Sequence, residues 1–518
     1  ASLAFATAFE SEESFAQNIE RLAEPVSAGG AGAGVIVDDV AWFEEPFFQD
    51  GPVAVAIGKV AGEGVTYLSA AGNDNLFDSE GNEIASWEAP KFRDSGVCPA
   101  AIVALSGFNG THCMDFDPGL GSDQTFGITV EAGETLTVDL QWAEPWNGVG
   151  TDLDAFLLSA GGGILTGSAE DNAGSEGTQR PVEVLQWENT ASTSRTVRLA
   201  INRFSGDDPR LKFILLQNGG GVSAVEYPES SGEDVVGPAI YGHAGAASAI
   251  SVAAVPFTNS AAIEPYSSRG PVTHYFGPVE GTEAAAPLGS PEVVEKPDIA
   301  ATDCGATTFF AFLSGGTWRF CGTSAAAPHA AAVAALLRQA KPSMSVQQAR
   351  DALGETAVPV GTFSSEAAGA GMVDAFAAIG SLPEPIEGGD AASEVVSPLG
   401  PPQPPPSGGG GTSEVVMPPP ESPPPSASPA PETRILKRPA RAVKTFRRTA
   451  RVAFRFGSDQ TGAGFLCKVD RSPYRPCSSR FVRRLSLGRH VLKVKAQVPG
   501  GKVDPTPAVV RFRVVPAA

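Results

Sequence analysis

The chain contains no run of 18 uninterrupted apolar residues, so no segment is expected to cross a bilayer as a helix. Histidine and cysteine are scarce, 5 and 6 in 518 residues, and no Cys-x-x-Cys pair occurs, which argues against a structural zinc site. The opening, Ala1-Ser2-Leu3-Ala4-Phe5-Ala6, lacks a Met and a basic stretch, so it is not expected to be a signal peptide. Basic residues are thin over most of the length. Residues 433–518 hold 21 Lys or Arg against 3 Asp or Glu, while the remainder holds 16 against 55. An acidic body joined to a basic end points to two different environments or partners.

The cysteines that are present fall in three local pairs: Cys98 with Cys113, Cys304 with Cys321, and Cys467 with Cys477. An even number in close pairs favours disulfides and an exported protein, although six cysteines allow 15 connectivities. Residues 3–9 read as a strand, and Phe15, Ile19 and Leu22 fall at helical spacing after it. Val35-Ile36-Val37, a helix from Pro52 to Val60 and a strand from Val65 to Ser69 continue the alternation. Strand and helix in turn predict a parallel sheet with helices on both faces, an α/β architecture.

From about residue 91 the pattern changes to β-type runs: Phe126–Val130, Thr135–Trp142, Asp154–Leu158, Val182–Trp187, Thr196–Phe204 and Leu211–Leu216. An inserted antiparallel β-sandwich over 91–234 is expected. Asp152 and Asp154 alternate with apolar neighbours, so both are candidates to share one face and hold calcium, against the plainer reading of solvated carboxylates. The α/β pattern resumes with a strand at Ile250–Val255, then a helix at Ala330–Gln339 and one opened by the capping box Ser345-Val346-Gln347-Gln348. Residues 383–432 are a Pro/Gly/Ser-rich linker. Residues 433–518 alternate apolar and basic residues, as expected for a small β-sandwich stapled by Cys467 and Cys477. Its arginines suit anionic cell-envelope polymers or nucleic acid, though no aromatic-interleaved recognition motif favours the latter.

Gly322-Thr323-Ser324-Ala325-Ala326-Ala327-Pro328-His329 leads into the Ala-rich helix. A serine there has the free amide hydrogens of a first helical turn beside it, and Pro328 is expected within that turn. The plainer reading is an N-cap serine. Three further segments stand in order: Ser69-Ala70-Ala71-Gly72-Asn73, Tyr266-Ser267-Ser268-Arg269-Gly270-Pro271 and Lys296-Pro297-Asp298-Ile299-Ala300. Together the four resemble the motifs of the subtilisin family of serine peptidases, over residues 1–90 and 235–380. Gly369-Ala370-Gly371-Met372-Val373-Asp374 resembles the segment closing that domain. Thr151-Asp152-Leu153-Asp154 resembles small β-sandwich domains attached to secreted bacterial peptidases, and the C-terminal domain resembles immunoglobulin-like modules of exported actinobacterial proteins.

The resemblance implies Ser324 as nucleophile and Asn73 as side-chain donor to the oxyanion. It also implies a substrate-pairing segment near Asp39 to Glu45, where Glu44 and Glu45 would favour basic side chains. Cys304 and Cys321 would clamp the loop before Ser324. The family's His-Gly-Thr segment does not occur. His329 lies about 140° around the helix from Ser324 and cannot reach its Oγ. His112 and His490 belong to the β-domains, and neither His243 nor His274 has an evident orienting Asp. Asp94-Ser95-Gly96 has the form of the family's acid motif but reads as a turn opening the insertion. The expectation is a secreted or extracellular serine endopeptidase, with cell-envelope association as an option, whose acid and base lie upstream of Ala1, so that this chain alone is inactive or nearly so. The related sedolisins use Glu as base, but an Asp instead of Asn at the oxyanion position. No cofactor is required for this chemistry. The alternative is a non-catalytic envelope-binding protein on a degenerate peptidase scaffold; an esterase is disfavoured because Gly-x-Ser-x-Gly is absent.

Overall fold

Alternation along a few short strands decides which helices cover which face of the first sheet. In the computed structural model, the residues described are 2–382, except 106–108, 176, 217–219, 309 and 315, and then 431, 433–438, 442–445, 449–458, 464–470, 474–477, 480–497, 504 and 507–516. The first elements are α1 (Glu12–Ala23), β1 (Val35–Asp38), α2 (Pro52–Gly62, with Pro at its first turn) and β2 (Thr66–Ala70). Ile36 and Tyr67 point to the face covered by Phe15, Ile19, Val53 and Ile57 of α1 and α2. Leu68, one residue on, points to the opposite face.

Residues 3–9 form no strand: 3–7 have no regular structure and 8–9 bend, with Leu3 99% and Phe5 92% exposed. The expectation fails there because a strand needs a pairing partner, and the described residues offer it none.

After β2 the chain leaves the sheet. β3 (Ser86–Ala89) is followed by the short α3 (Ala100–Val103), then β4 (Phe126–Val130), β5 (Thr135–Trp142), β6 (Asp152–Leu158) and β7 (Ile164–Ser168). β8 (Val182–Glu188), β9 (Arg195–Ser205), β10 (Leu211–Leu215), β11 (Val222–Val225) and β12 (Val235–Val236) complete the run. They make two five-stranded antiparallel sheets, ordered β12-β3-β10-β5-β8 and β11-β4-β9-β6-β7. Residues of both, among them Trp87, Phe126, Leu140, Trp142, Leu157 and Phe213, share one apolar core. Cys98 and Cys113 are bonded at its edge.

The chain returns as β13 (Ile250–Pro256), a hairpin of β14 (Val272–Phe276) and β15 (Pro287–Val294), and β16 (Ile299–Asp303). The parallel sheet is β1-β2-β13-β16. α4 (Thr323–Ala340) and α5 (Val346–Glu355) close the second face. Ala326, Ala327, Ala330, Ala334 and Leu337 of α4 are buried against Leu68, Val252 and Ala254. Alanines let this helix approach the sheet closely, and α5 opens with the expected Ser345–Gln348 capping box. Pro328 sits inside α4, beyond the expected first turn, because the helix begins at Thr323.

The described residues from Pro431 onward belong to a separate compact unit. Its described strands make a three-stranded sheet (433–437, 449–458, 480–486) and a five-stranded sheet around Val452, Phe454, Phe456, Leu492 and Val494. Cys467 and Cys477 are bonded there. The 383–432 linker lies, apart from Pro431, outside the described residues.

Candidate active site

Ser324 stands in the first turn of α4, half-buried, at the end of the parallel sheet where β1 and β2 finish. That is where open α/β sheets place their ligands. Gly322 precedes the helix at φ 113°, a conformation that a side chain would strain, and a Cβ there would lie 3.2 Å from Asn73 Nδ2. Its amide donates to Asp303 Oδ1 at 2.9 Å, and Asp303 also accepts from Tyr266. Cys304 and Cys321 are bonded, so the three strands between them form a closed loop leading directly into Gly322.

Asn73 is locked to the same turn. Its Oδ1 accepts from Thr323 N at 2.8 Å and from Thr323 Oγ1 at 2.9 Å. A backbone N–H can only donate, so the oxygen of the amide is identified and Nδ2 is left as the donor. Gly72 (φ 100°) donates to Thr323 Oγ1 at 3.2 Å and gives its carbonyl to Ser268 N, while Ser268 Oγ holds Asp74 N. A Cβ on Gly72 would fall 2.8 Å from Ser268 Oγ. The segment containing Ser268 thus shapes the Asn73 turn. Lys296 and Asp298 are paired at 2.7 Å, with Lys296 Nζ also donating to Ala249 O. They brace the sheet away from Ser324.

A cavity of about 470 Å³ opens over Ser324 and Asn73. Asp39 lines it, with its carboxylate beside Ser324. Burial, then the neighbouring charge of Asp38, raises the Asp39 carboxyl, while the nearby Ser324 hydroxyl opposes the rise. Glu134, Thr137, Gln186 and Leu216 of the two-sheet region form another wall. Asp39, which sequence reading placed only in a substrate-pairing segment, is the carboxylate that the structure sets beside Ser324. Its signal was a carboxylate at the carboxyl end of an apolar run.

Glu44 and Glu45 do not line this cavity. Glu44 lies 3.6 Å from Arg180, and Glu45 is 1% exposed because it holds a histidine. His243, 198 residues away, receives Glu45 on Nδ1 at 2.8 Å and Asp38 on Nε2 at 3.0 Å, with its own amide donating to Glu45 Oε2 at 2.7 Å. His243 therefore does have carboxylate partners, contrary to the expectation, but it is enclosed beneath β1. Burial opposes its charge, yet Glu45 and Asp38 outweigh burial and keep the ring protonated well above the usual histidine range. Phe15 meets the ring edge-on at 5.4 Å. Glu12 is buried nearby, and burial with the charge of Glu45 pushes it up to about 8.

The other histidines are engaged elsewhere. His329 Nδ1 bonds Ala325 O at 2.6 Å, one turn back on α4. His112 pairs with Asp94 at 2.5 Å, His274 lies 3.9 Å from Asp50, and His490 bonds Asp470. None of these histidines lines the cavity over Ser324.

Asp152 and Asp154 are buried on β6, 6% and 3% exposed, which removes the reading of solvated carboxylates. Burial, reinforced by Asp152 and Glu183, pushes Asp154 up to about 8. Burial also carries Glu183 to about 8, despite hydrogen bonds that oppose it.

Residues 187–377 match the sequence model of the subtilase family of peptidases. Over these residues the chain is similar to the subtilase family. The subtilase match thus takes in the Ser324 turn and both the Tyr266 and Lys296 segments. Among solved structures, the chain is similar to the CspB protease of Clostridium perfringens, 12% identical over 71% of this chain and 70% of that one, with a TM-score of 0.39. It is also similar to a protease of Pseudoalteromonas arctica PAMC 21717, 26% identical over 26% of this chain and 35% of the other (TM-score 0.17). A third is MycP1 of Mycobacterium smegmatis, 20% identical over 29% and 34% (TM-score 0.15). The chain spans about a third of the length of the latter two. No curated protein matches it.

Proposed function

We propose that the chain is a serine endopeptidase that hydrolyses peptide bonds through an acyl-enzyme on Ser324. The observation that carries this reading is the amide of Asn73: its oxygen is taken by Thr323, so Nδ2 is directed to donate beside the nucleophile. In the proposed step, Ser324 Oγ attacks the scissile carbonyl and its proton passes to Asp39. The negative charge moves to the carbonyl oxygen, between Asn73 Nδ2 and the Ser324 amide, which has no intrahelical acceptor. The carbon–nitrogen bond then breaks, and the amine leaves with the proton. A carboxylate is in its ordinary range a weaker base than imidazole, so the chain by itself is expected to be slow.

The test is labelling by a fluorophosphonate. Slow labelling that vanishes in Ser324→Ala is expected; equal labelling of both chains, or none of either, overturns the reading.

Three disulfides favour an oxidising, extracellular setting. In the C-terminal unit the register sets Arg451 opposite Arg484 and Arg455 opposite Arg480. With 21 Lys or Arg against 3 Asp or Glu over residues 433–518, the charge balance favours an anionic envelope polymer as partner.

A further inference from the structure

We propose that Asp303 is a positioning residue for the Ser324 reaction: one buried carboxylate that holds the nucleophile turn and the Asn73 turn in register with the parallel sheet. The inference rests on Ser324 acting as the nucleophile. Asp303 is the last residue of β16, fully buried, and stands opposite Pro256 of β13. It does not line the cavity over Ser324, so it acts through other groups and not on a substrate.

Its two oxygens serve different segments. Oδ1 accepts from Gly322 N at 2.9 Å and from Cys304 N, and so ties together the two ends of the loop that the Cys304–Cys321 bond closes. Both of these residues are in the left-handed region, Gly322 at φ 113° and Cys304 at φ 56°. Cys304 carries a Cβ, so it adopts that conformation at a cost and persists there only when its surroundings hold it. Gly322 is the residue from which α4 starts, two positions before Ser324. The direction of its amide therefore sets where the first turn of the helix, and Ser324 with it, begins.

Oδ2 accepts from the Tyr266 hydroxyl. Tyr266 belongs to the segment that grips the Asn73 turn. Tyr266 O accepts from Asn75 N at 3.0 Å, and Pro265 O from Asn75 Nδ2 at 2.9 Å. Ser268 N donates to Gly72 O at 2.9 Å, and Ser268 Oγ accepts from Asp74 N at 3.1 Å. The bonds between Asn73 and Thr323 join the two turns to each other but leave them free to shift as a pair. Asp303 removes that freedom, because its backbone is part of the sheet and each oxygen holds one turn. Burial raises its carboxyl, and the hydrogen bonds from Tyr266, Cys304 and Gly322 oppose the rise. A carboxylate whose oxygens are occupied by three donors is a fixture of the site.

The experiment is fluorophosphonate labelling of the full 518-residue chain over a range of probe concentrations, which separates the binding constant of the probe from the rate constant of phosphonylation. Asp303→Ala is expected to slow phosphonylation about 100-fold and to leave the binding constant within about threefold, since misplacement of a reacting group acts on the chemical step. Asp303→Asn keeps an oxygen for the two amides and is expected to recover at least about 10-fold of that loss. Tyr266→Phe releases the Asn73 side alone and is expected to slow the step about 10-fold; it carries the test if Asp303→Ala does not fold. Ile57→Val or Ile57→Ala, whichever matches the melting temperature of the Asp303 variant, lies on the far face of the sheet and is expected to slow the step less than about twofold. Variants of Asp303 and Tyr266 that phosphonylate within about threefold of wild type overturn the inference, as does a loss confined to the binding constant or an equal loss in the Ile57 variant. In those cases wild-type labelling at Ser324 still stands; a wild-type chain that is not labelled at Ser324 overturns the nucleophile and this inference together.

Discussion

Two clusters of buried acid in this molecule are handled in opposite ways. Beneath β1, Asp38 and Glu45 enclose His243, and the imidazolium answers them both. In the two-sheet region, Asp152, Asp154 and Glu183 are as deeply enclosed, and no basic side chain acts on Asp154 or Glu183. The comparison teaches that a fold can compensate a buried charge with a counter-charge or suppress it by keeping the acid protonated. The cleft is a third case: in the proposed reaction, Asn73 Nδ2 would meet a charge that exists only during catalysis.

The comparison can be broken at its strongest point first. His243→Gln removes the counter-charge and leaves two carboxylates buried, which is expected to cost about 3–5 kcal/mol of stability in denaturant unfolding at pH 6. A loss below about 1 kcal/mol would mean that the network is not charged as described. Next, Asn73→Ala is expected to slow Ser324 acylation about 100- to 1,000-fold while leaving the His243 network intact, measured as the labelling rate constant.

The pH dependence sharpens the contrast further. The folded chain holds the His243 proton above the usual value of about 6.5, so its contribution is complete below that pH and fades as pH rises through the higher folded value. The stability gap between wild type and His243→Gln should therefore narrow above about pH 7, by up to about 1.4 kcal/mol per pH unit. A gap that widens with pH would reverse the assignment. The smallest effect belongs to the other cluster: Asp154→Asn is expected to be neutral or to stabilise by about 1–2 kcal/mol at pH 7, since burial makes this carboxyl take up a proton on folding and the amide needs none. A clear loss of stability would place a counter-charge there.

Much of the parallel sheet was legible because apolar runs and helix signals are local. The α2 start at Pro52, the α5 capping box and several insert strands follow from neighbouring residues alone. The Ser324 turn was legible for the same reason, since Gly322 and the alanines after Ser324 are written in one stretch. Residues 3–9 misled because an alternating apolar segment shows strand propensity but not whether a partner is present. Glu44 and Glu45 misled because a pair of adjacent acids looks like a solvated or substrate-facing loop until the residue 198 positions away is placed against one of them.

What the sequence determined by itself was therefore the set of local elements, the three close cysteine pairs and the Gly-Thr-Ser turn with its subtilase resemblance. What only the tertiary structure decided was the fate of each charge. Asp38 and Asp39 are adjacent, yet one faces His243 inside and the other Ser324 in the cleft, and the two acids of β6 are sealed beside Glu183. A side chain's chemical type is local, but its burial and its partners depend on chain segments tens to hundreds of residues away, and these set whether a carboxylate is a surface charge, a counter-ion, a proton acceptor or a protonated acid.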